Sequence, residues 1–184
     1  MDIQGFHHVA YRCDNAKQTV EFYQQVLGMD FQLAIAEDKV PSTGAPDPYM
    51  HIFMDAGNGN VLAFFELPQS KKMGSDPNTP KWVQHIAFKV PDMHALLASK
   101  AHIENLGIEV LGPIDHTLFQ SIYFFDPNGH RLELAANTAQ PGMLEELHRV
   151  APAMLEEWDN TKRAPEHAAW LHDKTKPFTK GTPL

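Results

Sequence analysis

One cysteine in 184 residues leaves no disulfide to be made within the chain, so the fold must be held by its core alone. Cys13 alternates with Tyr11 along an apolar stretch and is expected to be a small buried hydrophobe. That usage fits a reducing, cytoplasmic setting. No apolar run approaches the roughly 20 residues that cross a bilayer. The opening MDIQGFHHVAYRCDN lacks a basic region followed by an apolar one, so neither a membrane partner nor a secretory signal is expected. Positive charge is also scarce: 15 Lys and Arg stand against 23 Asp and Glu, a formal net charge of −8 with no basic stripe. Such a surface repels phosphate backbones and argues against nucleic-acid binding. The chain carries no GxxxxGK[ST], GxGxxG or GxSxG pattern and no cysteine-rich zinc motif.

What is present is a repeat. Residues 6–14 read FHHVAYRCD and residues 84–92 read QHIAFKVPD: a His, alternating apolar residues, then an Asp able to cap a helix. After Asp14, Val20, Tyr23 and Leu27 recur at helical spacing before Gly28; after Asp92, Leu96, Leu97 and Ile103 do so before Gly107. Extended segments follow near 29–37, 49–55 and 60–67 in the first copy. In the second they lie near 108–112, 119–126 and 130–136, with the turn Asp126-Pro127-Asn128-Gly129 joining the last two.

The organisation expected is α+β: two βαβββ modules, residues 1–69 and 82–137, forming a curved mixed sheet around a metal cleft. A polar linker spans 70–81 and a helical extension spans 138–184. The proline- and glycine-rich stretch 41–48 reads as a loop in the first module. In the extension, Leu144, Leu147, Val150, Met154 and Trp158 mark an apolar stripe, while His148, His167 and His172 read as surface residues.

The repeat carries the chemistry. His8 and His85 each begin a strand at the same place in their module, so a pseudo-twofold axis would make their imidazoles converge. Arg131-Leu132-Glu133-Leu134 sets a carboxylate among apolar neighbours, and a buried carboxylate needs a counter-charge. A divalent metal shared by His8, His85 and Glu133 supplies it and leaves positions open for substrate. A lone strand histidine is ordinarily a satisfied core residue; the matched pair with a strand carboxylate is what points to a metal. His7, of opposite parity, should point away.

In this order and spacing FHHVAYRCDN, FYQQVLGMDF, NVLAFFELP, WVQHIAFKVPD and SIYFFDPNGHRLELAA resemble the vicinal-oxygen-chelate superfamily of glyoxalases, bleomycin-resistance proteins and extradiol dioxygenases, over roughly residues 4–137. The resemblance carries the same three metal ligands. It also implies two further roles drawn from the ring-cleaving members: Tyr123, ten residues before Glu133, contacting substrate, and His116, in the preceding loop, as acid/base. The expected activity is extradiol cleavage of a small catechol-like aromatic with Fe(II) favoured and Mn, Zn or Ni possible, in a homodimer. The alternatives are a glyoxalase-type lyase or isomerase, and a drug-sequestering protein. Lyase members use a carboxylate from each module. Counted from Gly59 as from Gly129, however, Ala63 rather than Glu66 matches Glu133, and Glu66 has the opposite strand parity.

Overall fold

Strand alternation and helix caps translate into two successive β-α-β-β-β runs in the computed structural model, which describes residues 1–74, 76–173 and 175–178. The first comprises β1 (Val9–Cys13), α1 (Ala16–Leu27), β2 (Phe31–Lys39), β3 (Pro46–Asp55) and β4 (Val61–Glu66). The second comprises β5 (His85–Val90), α2 (Met93–Asn105), β6 (Leu111–Asp115), β7 (Phe119–Phe125) and β8 (Arg131–Asn137). The extension forms α3 (Met143–Thr161), a 3-10 turn at Glu166–Ala168 and α4 (Ala169–His172).

The strands form two four-stranded sheets of identical plan, β1-β4-β3-β2 and β5-β8-β7-β6. In the first, β1 runs parallel to β4, and β3 is antiparallel to both β4 and β2. This is an α+β fold of two mixed sheets with helices.

By contacts the chain forms two compact units. One holds Met1–Phe88, Ser99–Val110 and Tyr123–Glu133; the other holds Lys89–Ala98, Leu111–Ile122 and Leu134–Leu184. In the first unit α1 starts at an Asn15 cap whose side chain accepts from the Gln18 N–H. The cap is therefore Asn15 and not Asp14, whose carboxylate instead accepts from the Met73 N–H. Gly28 ends the helix at φ 65°, in the left-handed region where glycine has no Cβ penalty. The buried face of α1 is Ala16, Thr19, Tyr23 and Val26, with Val20 and Leu27 on its flank.

Tyr23 packs on Phe64 with ring centroids 5.0 Å apart, and its hydroxyl donates to Asp126 at 3.3 Å. Burial, then the Asp126 carboxylate, push the phenol pKa up. The 126–129 turn is tied to α1 by Asn128, which donates to the Thr19 hydroxyl and accepts from the Asp14 N–H. The final turn of the second repeat is thus part of the first repeat's core.

In the second repeat Asp92 caps α2 through the Ala95 N–H, as expected. The two α2 residues with no exposed surface are Leu96 and Ile103, while Leu97 is half exposed. The stripe expected in α3 is also displaced. Met143, Glu146 and Val150 are buried, whereas Leu144 and Trp158 lie outward. Glu146 is held by two hydrogen bonds from Arg149, so a charged residue takes a place on the buried side of the helix. His148, His167 and His172 are exposed as expected, His167 paired with Glu157 at 2.6 Å. The loop expected at 41–48 is shorter, because β3 begins at Pro46.

Candidate metal and substrate site

Side chains alternate across a strand, so Arg131, Glu133 and Ala135 of β8 share one face. Glu133 is only 3 % exposed, and its Oε2 lies 3.0 Å from Nε2 of His85. The other ring nitrogen of His85, Nδ1, faces the Val83 carbonyl at 3.0 Å. A carbonyl can only accept, so Nδ1 carries the hydrogen, and Nε2 is the nitrogen turned toward the carboxylate. Two electron-rich atoms at that distance require a cation between or beside them, either a proton or a metal ion. A backbone carbonyl that fixes the tautomer of a ligating His is the usual support of a metal site. His85 and Glu133 are thus two donors of the types a divalent metal takes.

Tyr123 of β7 is 9 % exposed and meets His85 edge-on, with ring centroids 6.3 Å apart. The Arg131 guanidinium lies over the Tyr123 ring at 4.1 Å, a cation–π stack that fixes both side chains. His85 and Arg131 also line an open cavity of ≈ 820 Å³, together with Tyr11, Lys81 and His130, large enough for a small aromatic ligand. His130 is anchored through Nε2 to the Arg12 carbonyl at 2.7 Å. Arg131 and His130 carried no expectation from the sequence; the strand parity shared by Arg131, Tyr123 and Glu133 is the signal that could have found the first.

The other expected residues have different surroundings. His8 lies with His7, at 2.8 Å between their Nδ1 atoms, and with the rings of His51 and Phe53 at 5.8 and 5.6 Å. Among the described residues, no three His, Cys, Asp or Glu side chains gather as a metal group. His116 stands at the β6–β7 turn in the second unit, its ring 5.0 Å from that of Phe119. Glu66 faces α1, as its parity requires, and its Oε2 accepts from the Ala16 N–H at 2.6 Å. Its match to Cys13 on β1 places it on the helix-covered face. Ala63, matched with Ala10 and Phe53, is fully buried on the opposite face.

The pattern of the Glyoxalase/Bleomycin resistance protein/Dioxygenase superfamily matches residues 5–134. A Bacillus subtilis (strain 168) protein, named provisionally as the ring-cleaving dioxygenase MhqA, is 27 % identical over 145 residues. That match takes in 77 % of this chain but 43 % of the relative, so the chain spans less than half of it. A lactoylglutathione lyase from Pseudomonas aeruginosa is 27 % identical over 150 residues, covering 70 % of this chain and 80 % of the lyase. Among solved structures, a glyoxalase family protein from Enterococcus faecalis superposes with a TM-score of 0.54 at 28 % identity, over 73 % of this chain and 99 % of its own. The fosfomycin resistance protein FosX from Listeria monocytogenes shares the fold at a TM-score of 0.54 and 22 % identity, over 74 % and 96 %.

Proposed function

The chain belongs to the glyoxalase/bleomycin resistance/dioxygenase superfamily, and from that premise we propose that it is a metal-dependent enzyme cleaving a small catechol-like aromatic in the extradiol manner. One observation carries the preference over lyase chemistry: Glu66, the carboxylate a two-carboxylate lyase would draw from the first module, is spent on the N-terminus of α1. The second reading, a glyoxalase-type lyase or isomerase, keeps support from the Pseudomonas aeruginosa relative.

The proposed ligands are His8, His85 and Glu133, with Fe(II) the favoured ion. A divalent metal, when bound, supplies Lewis acidity toward two neighbouring substrate oxygens and, as Fe(II), redox chemistry toward dioxygen. Glu133 and His85 would hold it together. His8 would complete the set from the first module, and the assembly proposed is a homodimer. Phe31, Leu33 and Ile35, each more than two-fifths exposed along β2, offer apolar surface for that pairing. Tyr123, held beneath Arg131, orients the substrate ring by its hydroxyl. His116 is the proposed acid/base that takes the catechol proton.

Elemental analysis of anaerobically purified protein, followed by oxygen uptake with a panel of catechols, tests this. Near-stoichiometric iron and iron-dependent uptake are expected, both lost in Glu133→Ala. Zinc or nickel without uptake would favour the lyase reading. Full metal occupancy in Glu133→Ala would sink the ligand assignment.

A further inference from the structure

The two repeats differ at one position that matters for metal binding. The turn hydrogen bonds Ala56 N–H to Asn60 carbonyl and Asp126 N–H to His130 carbonyl are equivalent, so Ala56 stands where Asp126 does and Asn60 where His130 does. By that alignment Ala63 replaces Glu133, Phe53 replaces Tyr123 and His51 replaces Ser121. The first module thus lacks the carboxylate that its twin pairs with a histidine, and it has an additional imidazole instead.

That imidazole is placed to serve. On β3, Phe53 pairs with Ala63 and His51 pairs with Phe65, and directly opposed residues share a face. His51 is therefore on the Ala63 face, where the His8 ring is found. His51 is 8 % exposed and stacks on Phe65, with centroids 3.6 Å apart and planes at 17°. Its Nε2 is buried and has no hydrogen-bond partner among the protein atoms. Stacking leaves that nitrogen unsatisfied, and buried polar atoms without partners are uncommon. Two imidazoles on one metal, at about 2.0–2.1 Å from nitrogen to metal, place their ring centroids roughly 5–6 Å apart. The His8 and His51 rings are 5.8 Å apart.

We propose that His51 is a metal ligand that acts with His8, so that the first module contributes a His–His pair where the second contributes His85–Glu133. The proposal rests on the metal-dependent reading above and adds a fourth protein donor to it. His51 takes over, from the neighbouring strand, the coordination position that Ala63 cannot fill.

The test uses the full chain, stripped of metal and titrated with Co(II). Wild type, His51→Phe, His51→Gln and Glu133→Ala are compared, each checked for folding by circular dichroism. Cu(II)-loaded protein is then examined by electron spin-echo spectroscopy to count coordinated imidazoles. The expected result is three imidazoles in wild type, and two, with Co(II) affinity at least tenfold weaker, in both His51 variants. Two imidazoles in wild type overturn the proposal even if neither variant folds, and so does unchanged affinity in a folded His51 variant. If Glu133→Ala loses Co(II) while the His51 variants keep it, His51 fails and the His8–His85–Glu133 reading stands. The reverse pattern leaves the His8–His51 pair standing and removes Glu133. Wild type that binds no Co(II) overturns both.

Discussion

Removing the Glu66 carboxylate separates a structural role from a ligand role at one residue. Glu66 ends β4, and its Oε2 takes the Ala16 N–H at 2.6 Å, at the very start of α1. The first turn of that helix has no acidic residue of its own, so Glu66 is the carboxylate that meets its positive end. A hydrogen bond to a charged group contributes about 1.5–3 kcal/mol net. Part of that is the carboxylate's attraction to the helix N-terminus, about 0.3–1 kcal/mol. Glu66 is half-buried, which favours the lower part of this range. Glu66→Ala should therefore cost about 2 kcal/mol, and Glu66→Gln, which keeps an acceptor but loses the charge, about 0.5–1 kcal/mol. For a chain of this size the alanine variant should melt roughly 4–8 °C lower. Urea unfolding gives the stability, and metal analysis of the same samples gives occupancy. Lower stability with unchanged metal is expected. Unchanged stability with lost metal would refute the helix role and return Glu66 to the metal site.

Two further outcomes follow from backbone packing and from burial. At Gly112, with φ +108°, an added Cβ would lie 2.6 Å from the Ser121 carbonyl oxygen and 3.1 Å from the Ile114 nitrogen. Gly129, at φ +86°, has nothing within 4 Å, so it carries the conformational penalty without the clash. Positive φ alone costs a non-glycine residue about 1–3 kcal/mol; Gly112→Ala should exceed Gly129→Ala in thermal denaturation, and equal shifts would contradict the close approach of β6 to β7. The Cys13 thiol is pushed up to about 11, chiefly by burial, with Glu66, Asp126 and Asp14 adding to the effect against an opposing hydrogen bond from Thr19. Folding then holds the thiol proton more tightly than the unfolded chain does. The stability tied to that proton is complete below about pH 9 and is lost as pH rises toward about 11, by at most about 3 kcal/mol. Melting temperatures of wild type and Cys13→Ala followed from pH 8 to 11 should show wild type losing ground; parallel curves would show the thiol to be unperturbed.

The parts of the fold legible in the sequence were those repeated in it. Two His-initiated strands, each followed by a capped helix and three strands, gave the element order because each cap and stop has a local cause, as Asp92 and Gly28 show. His85 beside Glu133 was legible for the same reason: a carboxylate set among apolar strand residues needs a partner. Longer-range packing was not legible. Glu146 is buried because Arg149, three residues on, neutralises it, and so the α3 stripe read from apolar residues alone was displaced. The tie from Asn128 to Thr19 joins residues far apart in sequence, which no local pattern encodes. His51 has no counterpart in the second repeat, so the repeat does not mark it; only the strand register sets it on the His8 face.

The asymmetry of the repeats bears on the chemistry through charge. In the proposed site, with Glu133 as its one carboxylate, a divalent metal among neutral imidazoles would keep a net positive charge, whereas a second carboxylate at Ala63 would cancel it. A catecholate brings its own negative oxygens and is favoured by a site left positive; a neutral carbonyl substrate gains less from it. Arg131, stacked over Tyr123 and lining the same cavity as His85, adds charge of the same sign. On the proposed reading, the alanine at position 63, the turning of Glu66 onto α1 and the placement of Arg131 would together favour an anionic aromatic substrate.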